Sequence, residues 1–168
     1  MLHLSTGEVL RQAIQDQNEL GRKAADYIDD GRLVPDDVMI NLIDEQSAGH
    51  EHGCLLDGFP RTLVQAEAFE DLLEKRQQEL LIVIQLIADR EEVLQRLGAR
   101  SQIEGRSDDD PETITRRLAI FDKQTAPIVE FYRKRGLLAE IDGIGRPEEV
   151  HVRVLGRVRE AIELADKR

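Results

Sequence analysis

Cys54-Leu55-Leu56-Asp57-Gly58-Phe59-Pro60-Arg61 is the stretch on which the fold turns. Three apolar residues run straight into Asp-Gly, the pattern of a short buried strand stopped by a turn. Ligands of open α/β sheets bind beyond the carboxyl ends of their strands. Asp57 would stand at such an end, where a carboxylate suits a hydrated Mg²⁺. Gly58 lets the backbone come close to a ligand. Arg61 offers a planar fork that matches phosphate oxygens. On these residues alone, a plain Asp-Gly turn beside a surface arginine fits equally well.

Leu80-Leu81-Ile82-Val83-Ile84-Gln85-Leu86-Ile87, further on, is the strongest strand signal in the chain. It is nearly continuous, as in a parallel strand covered on both faces. Leu137 to Asp142 reads as the last strand. Helical patterns fill the intervals. The first runs from Gly7 toward Leu20, with Ser5 and Thr6 as candidate caps. The second, Arg22 to Asp30, stops at Gly31. A third opens on Pro35 and runs to about Gln46. Thr62 to about Gln78 and Arg90 to Leu97 follow, the latter capped by Asp89. Gly98 to Asp110 reads as a polar loop. Pro111 opens a further helix, Pro127 marks a kink or restart after Thr125, and Pro147 opens the last helix. Alternating strands and helices predict an α/β fold with a parallel sheet and flanking helices.

The 168 residues suit one domain, and 40% hydrophobic with 34% charged residues is a globular composition. Aromatics are only 4%, so the core must be aliphatic. A net charge of -11 gives no overall attraction to nucleic acid or to an anionic membrane. No run approaches the ~20 apolar residues of a membrane span. The N-terminus lacks the features of a signal peptide. The single cysteine, Cys54, excludes an intrachain disulfide and a Cys-based zinc site, and suggests a cytoplasmic, reducing compartment.

Arginines form the second group of candidates. Arg96 and Arg100 share a helical face, Arg106 lies in the loop beside Asp108 and Asp109, and Arg116 and Arg117 lie on the next helix. Polyphosphate would justify gathering them, since its transfer relies on positioning and charge neutralisation. Solvated helix faces paired with acids explain scattered arginines as well. Ser5-Thr6-Gly7 with Arg11 one turn on suits a ligand phosphate, or a simple helix cap. The histidines show no metal-ligand spacing, and Phe131 and Tyr132 read as packing residues.

Taken in order, these segments resemble the adenylate kinase family along essentially the whole chain. The resemblance is carried by His3-Leu4-Ser5-Thr6-Gly7 with Arg11, Gly31-Arg32-Leu33-Val34-Pro35-Asp36, Leu56-Asp57-Gly58-Phe59-Pro60-Arg61-Thr62 with Gln65-Ala66, Gly105-Arg106-Ser107-Asp108-Asp109 with Arg117, Thr125-Ala126-Pro127 and Ile141-Asp142-Gly143. It implies a P-loop-kinase-like fold, one domain over 1–168, with an AMP-binding subdomain at 5–34 and a short lid at 100–107 that carries no zinc. It implies ATP + AMP ⇌ 2 ADP, with Mg²⁺ organised by Asp57 through water. Thr6, Arg11, Arg32, Leu33, Val34, Gly58, Arg61 and Gln65 would form the AMP site, with Gln65 on adenine and Arg61 on the phosphate. Arg96, Arg100 and Gly145 would serve ATP, and Arg106 and Arg117 the transferring phosphoryl group. Arg61, Arg96, Arg106 and Arg117 would be the catalytic set. The family partners would be AMP and ATP or ADP, with a monomeric protein and neither nucleic acid nor membrane.

The family's G-x-x-x-x-G-K loop does not occur in the sequence. In the family it follows the central strand of the sheet, which would lie between the Cys54–Leu56 and Leu81–Ile87 strands. The expectation is therefore a sheet lacking that strand, with open edges and a tendency to self-associate. Phosphoryl transfer should be impaired, since one preorganised donor is worth about 10²–10³ in rate. Three readings follow: a shortened or wrongly started enzyme, an AMP-binding module without catalysis, or a chain completed by a partner.

Overall fold

The structure is a computed structural model, and it describes residues 1–50, 53–104 and 110–167. Its frame is two pairs of parallel strands. β1 (Leu2–Ser5) pairs with β2 (Cys54–Asp57), Leu2 opposite Cys54 and Ser5 opposite Asp57. β3 (Val83–Ile87) pairs with β4 (Leu138–Asp142), Val83 opposite Leu138 and Ile87 opposite Asp142. Parallel neighbours require long crossovers. The first is made of α1 (Thr6–Gln15), α2 (Glu19–Asp29) and α3 (Asp36–Ser47). α4 (Leu63–Lys75) lies between β2 and β3. The second crossover holds α5 (Arg90–Glu104), α6 (Pro111–Ile120), a π-helical turn (Phe121–Thr125) and α7 (Ala126–Lys134). α8 (Pro147–Ala165) closes the described chain.

The α/β class and the parallel pairing match the expectation. β2 and β3 share no ladder, so the described strands form two sheets. The expectation of full burial fails. Leu55 is 43% exposed, and Leu86 and Ile87 are 54% and 47% exposed. Of the Leu80–Ile87 run, only Val83–Ile87 is strand. A continuous apolar run anticipates cover on both faces, and in the described residues that cover is incomplete. β1 was not anticipated at all: Leu-His-Leu-Ser is too short and too polar to announce itself, and its ladder comes from β2.

Several helix boundaries follow from local chemistry. Asn18 breaks the helix expected from Gly7 to Leu20, because its side chain accepts a hydrogen bond from the Gly21 N–H at 2.8 Å and starts α2. Gly21 itself is required by contact: a Cβ there would lie 2.0 Å from the Ala13 carbonyl oxygen. Gly31, at φ +64, ends the α2 segment in the left-handed region. Pro35 sits one place ahead of α3. Asp89 caps α5, accepting from the Glu92 N–H at 2.8 Å. α5 runs on to Glu104, so the start of the expected loop and lid is helical, and residues 105–109 lie outside the described residues. Asp110 caps α6, accepting from the Glu112 and Thr113 N–H groups at 3.0 and 3.1 Å. The restart near Pro127 takes the form of the π-helical turn.

Two apolar clusters hold these elements. Leu4, Leu10, Ala24, Val34, Met39, Leu42, Ile43, Phe59 and Phe69 form the first, with Phe59 and Phe69 edge to face at 5.5 Å. Ala66, Ile128 and Tyr132 form the second. Ile43 is fully buried, and Ile43→Ala should cost about 2–5 kcal/mol in denaturant unfolding. The Tyr132 hydroxyl is buried without a hydrogen-bond partner among the described residues. Burial, then the Glu70 carboxylate, pushes its pKa up to about 12 from 10.0, against the opposing pull of Arg135. The folded state therefore keeps this proton longer than the unfolded chain. The corresponding stability is complete below pH 10 and is lost as pH rises toward about 12. Tyr132→Phe should leave neutral-pH stability within about 1 kcal/mol and flatten that alkaline loss, read by thermal melts across the range.

Candidate functional site

The carboxyl ends of β1 and β2 bring Thr6, Gly58, Arg61 and Gln65 together. Thr6 is the first residue of α1, so β1 delivers it directly to the strand end. Its hydroxyl donates to the Asp57 and Gly58 carbonyls at 3.1 and 3.2 Å. Ser5 makes no side-chain cap, so the capping role expected of these two residues is absent. Gly58 has φ +76, and a Cβ there would lie 2.7 Å from Arg61 Nη2 and 2.9 Å from Thr6 Oγ1. Only glycine lets the three groups converge. Arg61 Nε donates to the Gly58 carbonyl at 2.8 Å. Its own carbonyl accepts from the Thr125 hydroxyl at 2.9 Å, which ties the turn to the π-helical segment. The Phe59–Pro60 peptide within this turn is cis.

Gln65 stands on the first turn of α4, whose N-cap Thr62 accepts from the Gln65 N–H at 3.1 Å. Its Oε1 accepts from the Arg61 N–H at 2.7 Å, and its Nε2 donates to Asp36 Oδ1 at 2.8 Å. The same Asp36 oxygen accepts from Thr62 Oγ1 at 2.9 Å. Thr6 and Gln65 are each only 2% exposed. Arg11 lies close by: a Cβ at Gly7 would meet its Nη1 at 3.1 Å.

A second group forms at the carboxyl ends of β3 and β4. Arg96, on α5, donates through Nη1 to the Gly143 carbonyl at 2.9 Å and through Nη2 to the Gly145 carbonyl at 3.2 Å. Its Nε binds Glu92 at 2.6 Å. Arg153, on α8, holds the same loop from the other side, donating to the carbonyls of Asp142 and, at 2.8 Å, Ile144. Gly145, at φ +112, is confined by Glu149, whose Oε2 would lie 2.7 Å from a Cβ.

The remaining candidates fall differently. Arg32 pairs with Asp30 at 2.8 Å and lies over the Tyr27 ring at 4.6 Å. Val34 is buried in the first core, and Leu33 is half-buried. Arg117 packs its stem against Gly31, where a Cβ would be 3.1 Å from its Cγ. Arg100 is half-buried on α5. Arg106 lies outside the described residues. Among the described residues, no cluster of three or more His, Cys, Asp or Glu could hold a metal ion. Asp57 is exposed at the end of β2, and a lone exposed carboxylate fits a cation that keeps its water. Sequence reasoning missed Asp36 and Arg153. Asp36 stands in the sequence only as the end of the Gly31–Asp36 segment; its contact is with Gln65, 29 residues on, and Arg153 reaches back 9 and 11 residues to Ile144 and Asp142.

Among the described residues, no helix is long and apolar enough to cross a membrane. The family model described as Adenylate kinase matches residues 1–137. The adenylate kinase of Thermobifida fusca is 45% identical over 154 residues, covering 90% of this chain and 82% of its own length. That of Cyanothece sp. is 47% identical over 148 residues, covering 87% and 75%. That of Stenotrophomonas maltophilia strain R551-3 is 40% identical over 159 residues, covering 94% and 85%. With the family model over residues 1–137 and relatives at this identity across most of the chain, the protein belongs to the adenylate kinase family of transferases.

Proposed function

We propose that the protein acts in phosphoryl transfer between ATP and AMP, and that the group at the ends of β1 and β2 is its AMP side. The convergence of Thr6, Arg61 and Gln65 on Gly58 carries this reading. Arg61 would hold the AMP phosphate with Arg11, and Gln65 would meet the adenine edge. The backbone at Leu33 and Val34 would line the base. Gly143 and Gly145, held by Arg96, would form the ATP-adenine side with Arg100. Arg106 and Arg117 would neutralise the transferring group. An AMP phosphate oxygen forms a bond to the γ-phosphorus as the bond to the β–γ bridging oxygen breaks, which leaves two ADP. Mg²⁺, held by Asp57 through water, would offset phosphate charge.

A second reading is AMP binding with little transfer. It asks only for the group at the ends of β1 and β2, where Thr6, Gly58, Arg61 and Gln65 converge. Calorimetry with AMP, alongside a coupled assay for ADP formation, separates the two. AMP binding with robust ADP formation supports transfer, and AMP binding without ADP supports the second reading. No AMP binding sinks both.

Within the AMP side, Arg61→Ala should weaken AMP by about tenfold or more, the loss expected for a charge-assisted phosphate contact. Arg32→Ala should change AMP affinity less, because this exposed side chain is held by Asp30. Equal losses at both positions would argue against Arg61 as the main phosphate ligand.

A further inference from the structure

A glutamine amide presents a donor and an acceptor at nearly identical positions, so a half-turn about its last bond exchanges them. Gln65 cannot make that exchange freely. At one end stands Asp36, whose carboxylate only accepts; at the other stands the Arg61 backbone N–H, which only donates. Both partners require Nε2 toward Asp36 and Oε1 toward Arg61. A flipped amide would set oxygen against carboxylate and N–H against N–H. With 2% exposure, water offers little compensation for either mismatch.

The amide has two N–H donors and two lone pairs. Asp36 takes one donor and Arg61 fills one lone pair, which leaves one of each for a ligand. Adenine offers an amino donor beside a ring-nitrogen acceptor. A 6-oxo purine offers the reverse, a carbonyl acceptor beside an N–H donor. For a base held in one pose by its ribose phosphate, a fixed amide accepts only one of these patterns. A freely rotating amide would accept either.

We infer that Asp36 is a specificity-positioning residue: by fixing the orientation of the Gln65 amide, it makes the AMP side select 6-amino over 6-oxo purine monophosphates. This inference rests on the AMP-side reading given above. Asp36 touches no ligand in this scheme. Its second contact, from Thr62 Oγ1 to the same oxygen, holds the carboxylate against the start of α4.

The test compares calorimetric affinities for AMP and inosine monophosphate in the full chain and in Asp36→Asn. An asparagine amide can either donate or accept, so of the two constraints on Gln65 only the Arg61 N–H remains. The expected result is a clear AMP preference in the unmodified chain, reduced by about tenfold or more in a folded Asp36→Asn, chiefly through tighter inosine monophosphate binding relative to AMP. A purely structural role for Asp36 would lower both affinities together and leave their ratio unchanged, which overturns the inference. Equal binding of the two nucleotides by the unmodified chain also overturns it, while leaving the AMP-side reading intact. Failure to bind AMP at all overturns both. Should Asp36→Asn not fold, NMR of the Gln65 side-chain amide in the unmodified chain decides. A slowly exchanging, Asp36-bound proton supports the lock, and an amide averaging between both orientations about its Cγ–Cδ bond overturns it.

Discussion

The parallel ladder between Leu2–Ser5 and Cys54–Asp57 is the constraint on which the site depends. Its register sets Ser5 opposite Asp57, which puts Thr6 and Gly58 side by side at the top of the pair. The Thr6 hydroxyl then joins the strand ends through two backbone carbonyls. Everything between the two strands must fold as a crossover that returns to this point. α1 and α2 do so with the tight backbone approach that Gly21 permits, and α3 brings Asp36 back to α4. A slip of one residue would turn Leu4 out of the core and move Thr6 away from the Gly58 turn.

The sequence made the class of fold legible because the strand-end motif is dense: apolar run, Asp-Gly turn, Arg61 and Gln65 fall within one short stretch. It made the helix starts legible where a cap or a proline stands, as at Asp89, Asp110 and Pro111. β1 was not legible, since four residues of mixed polarity carry no period. The extent of burial was misread for a related reason. An apolar run reports what a strand can bury, whereas the exposure of Leu55, Leu86 and Ile87 depends on what packs beside it. The site followed the same division. Thr6, Gly58, Arg61 and Gln65, close together in the motif or at the end of its partner strand, converge in space, and Arg32 pairs with its neighbour Asp30. Asp36 owes its place to a contact with Gln65 on another helix, which no local pattern encodes, and Arg153 to carbonyls of the loop before its own helix.

The arginines of this acidic protein divide by what they hold. Arg135 binds Glu70 and lies over the Phe131 ring, and Arg133 bridges Glu130 and Glu140; these are surface and packing ties. Arg96 and Arg153 grip main-chain carbonyls of the Asp142–Gly145 loop, which has too few apolar side chains to hold itself by packing. Guanidinium groups suit that task because their several N–H donors reach adjacent carbonyls from a single plane. Arg116 does the same at the end of α2, donating to the Asp30 carbonyl at 2.6 Å.

The division of the strands into two sheets bears on how the molecule comes apart. No backbone ladder runs from one pair to the other. α4 contributes Phe69 to the first cluster and Ala66 to the second, and Leu80 packs against both. Cooperativity between the halves therefore passes through side chains: α4 and Leu80, with the Thr125–Arg61, Arg116–Asp30 and Arg135–Glu70 contacts beside them. Opening of either half breaks no ladder hydrogen bond of the other among the described strands. On that division, amide protection in β1 and β2 should follow the first core and that in β3 and β4 the second.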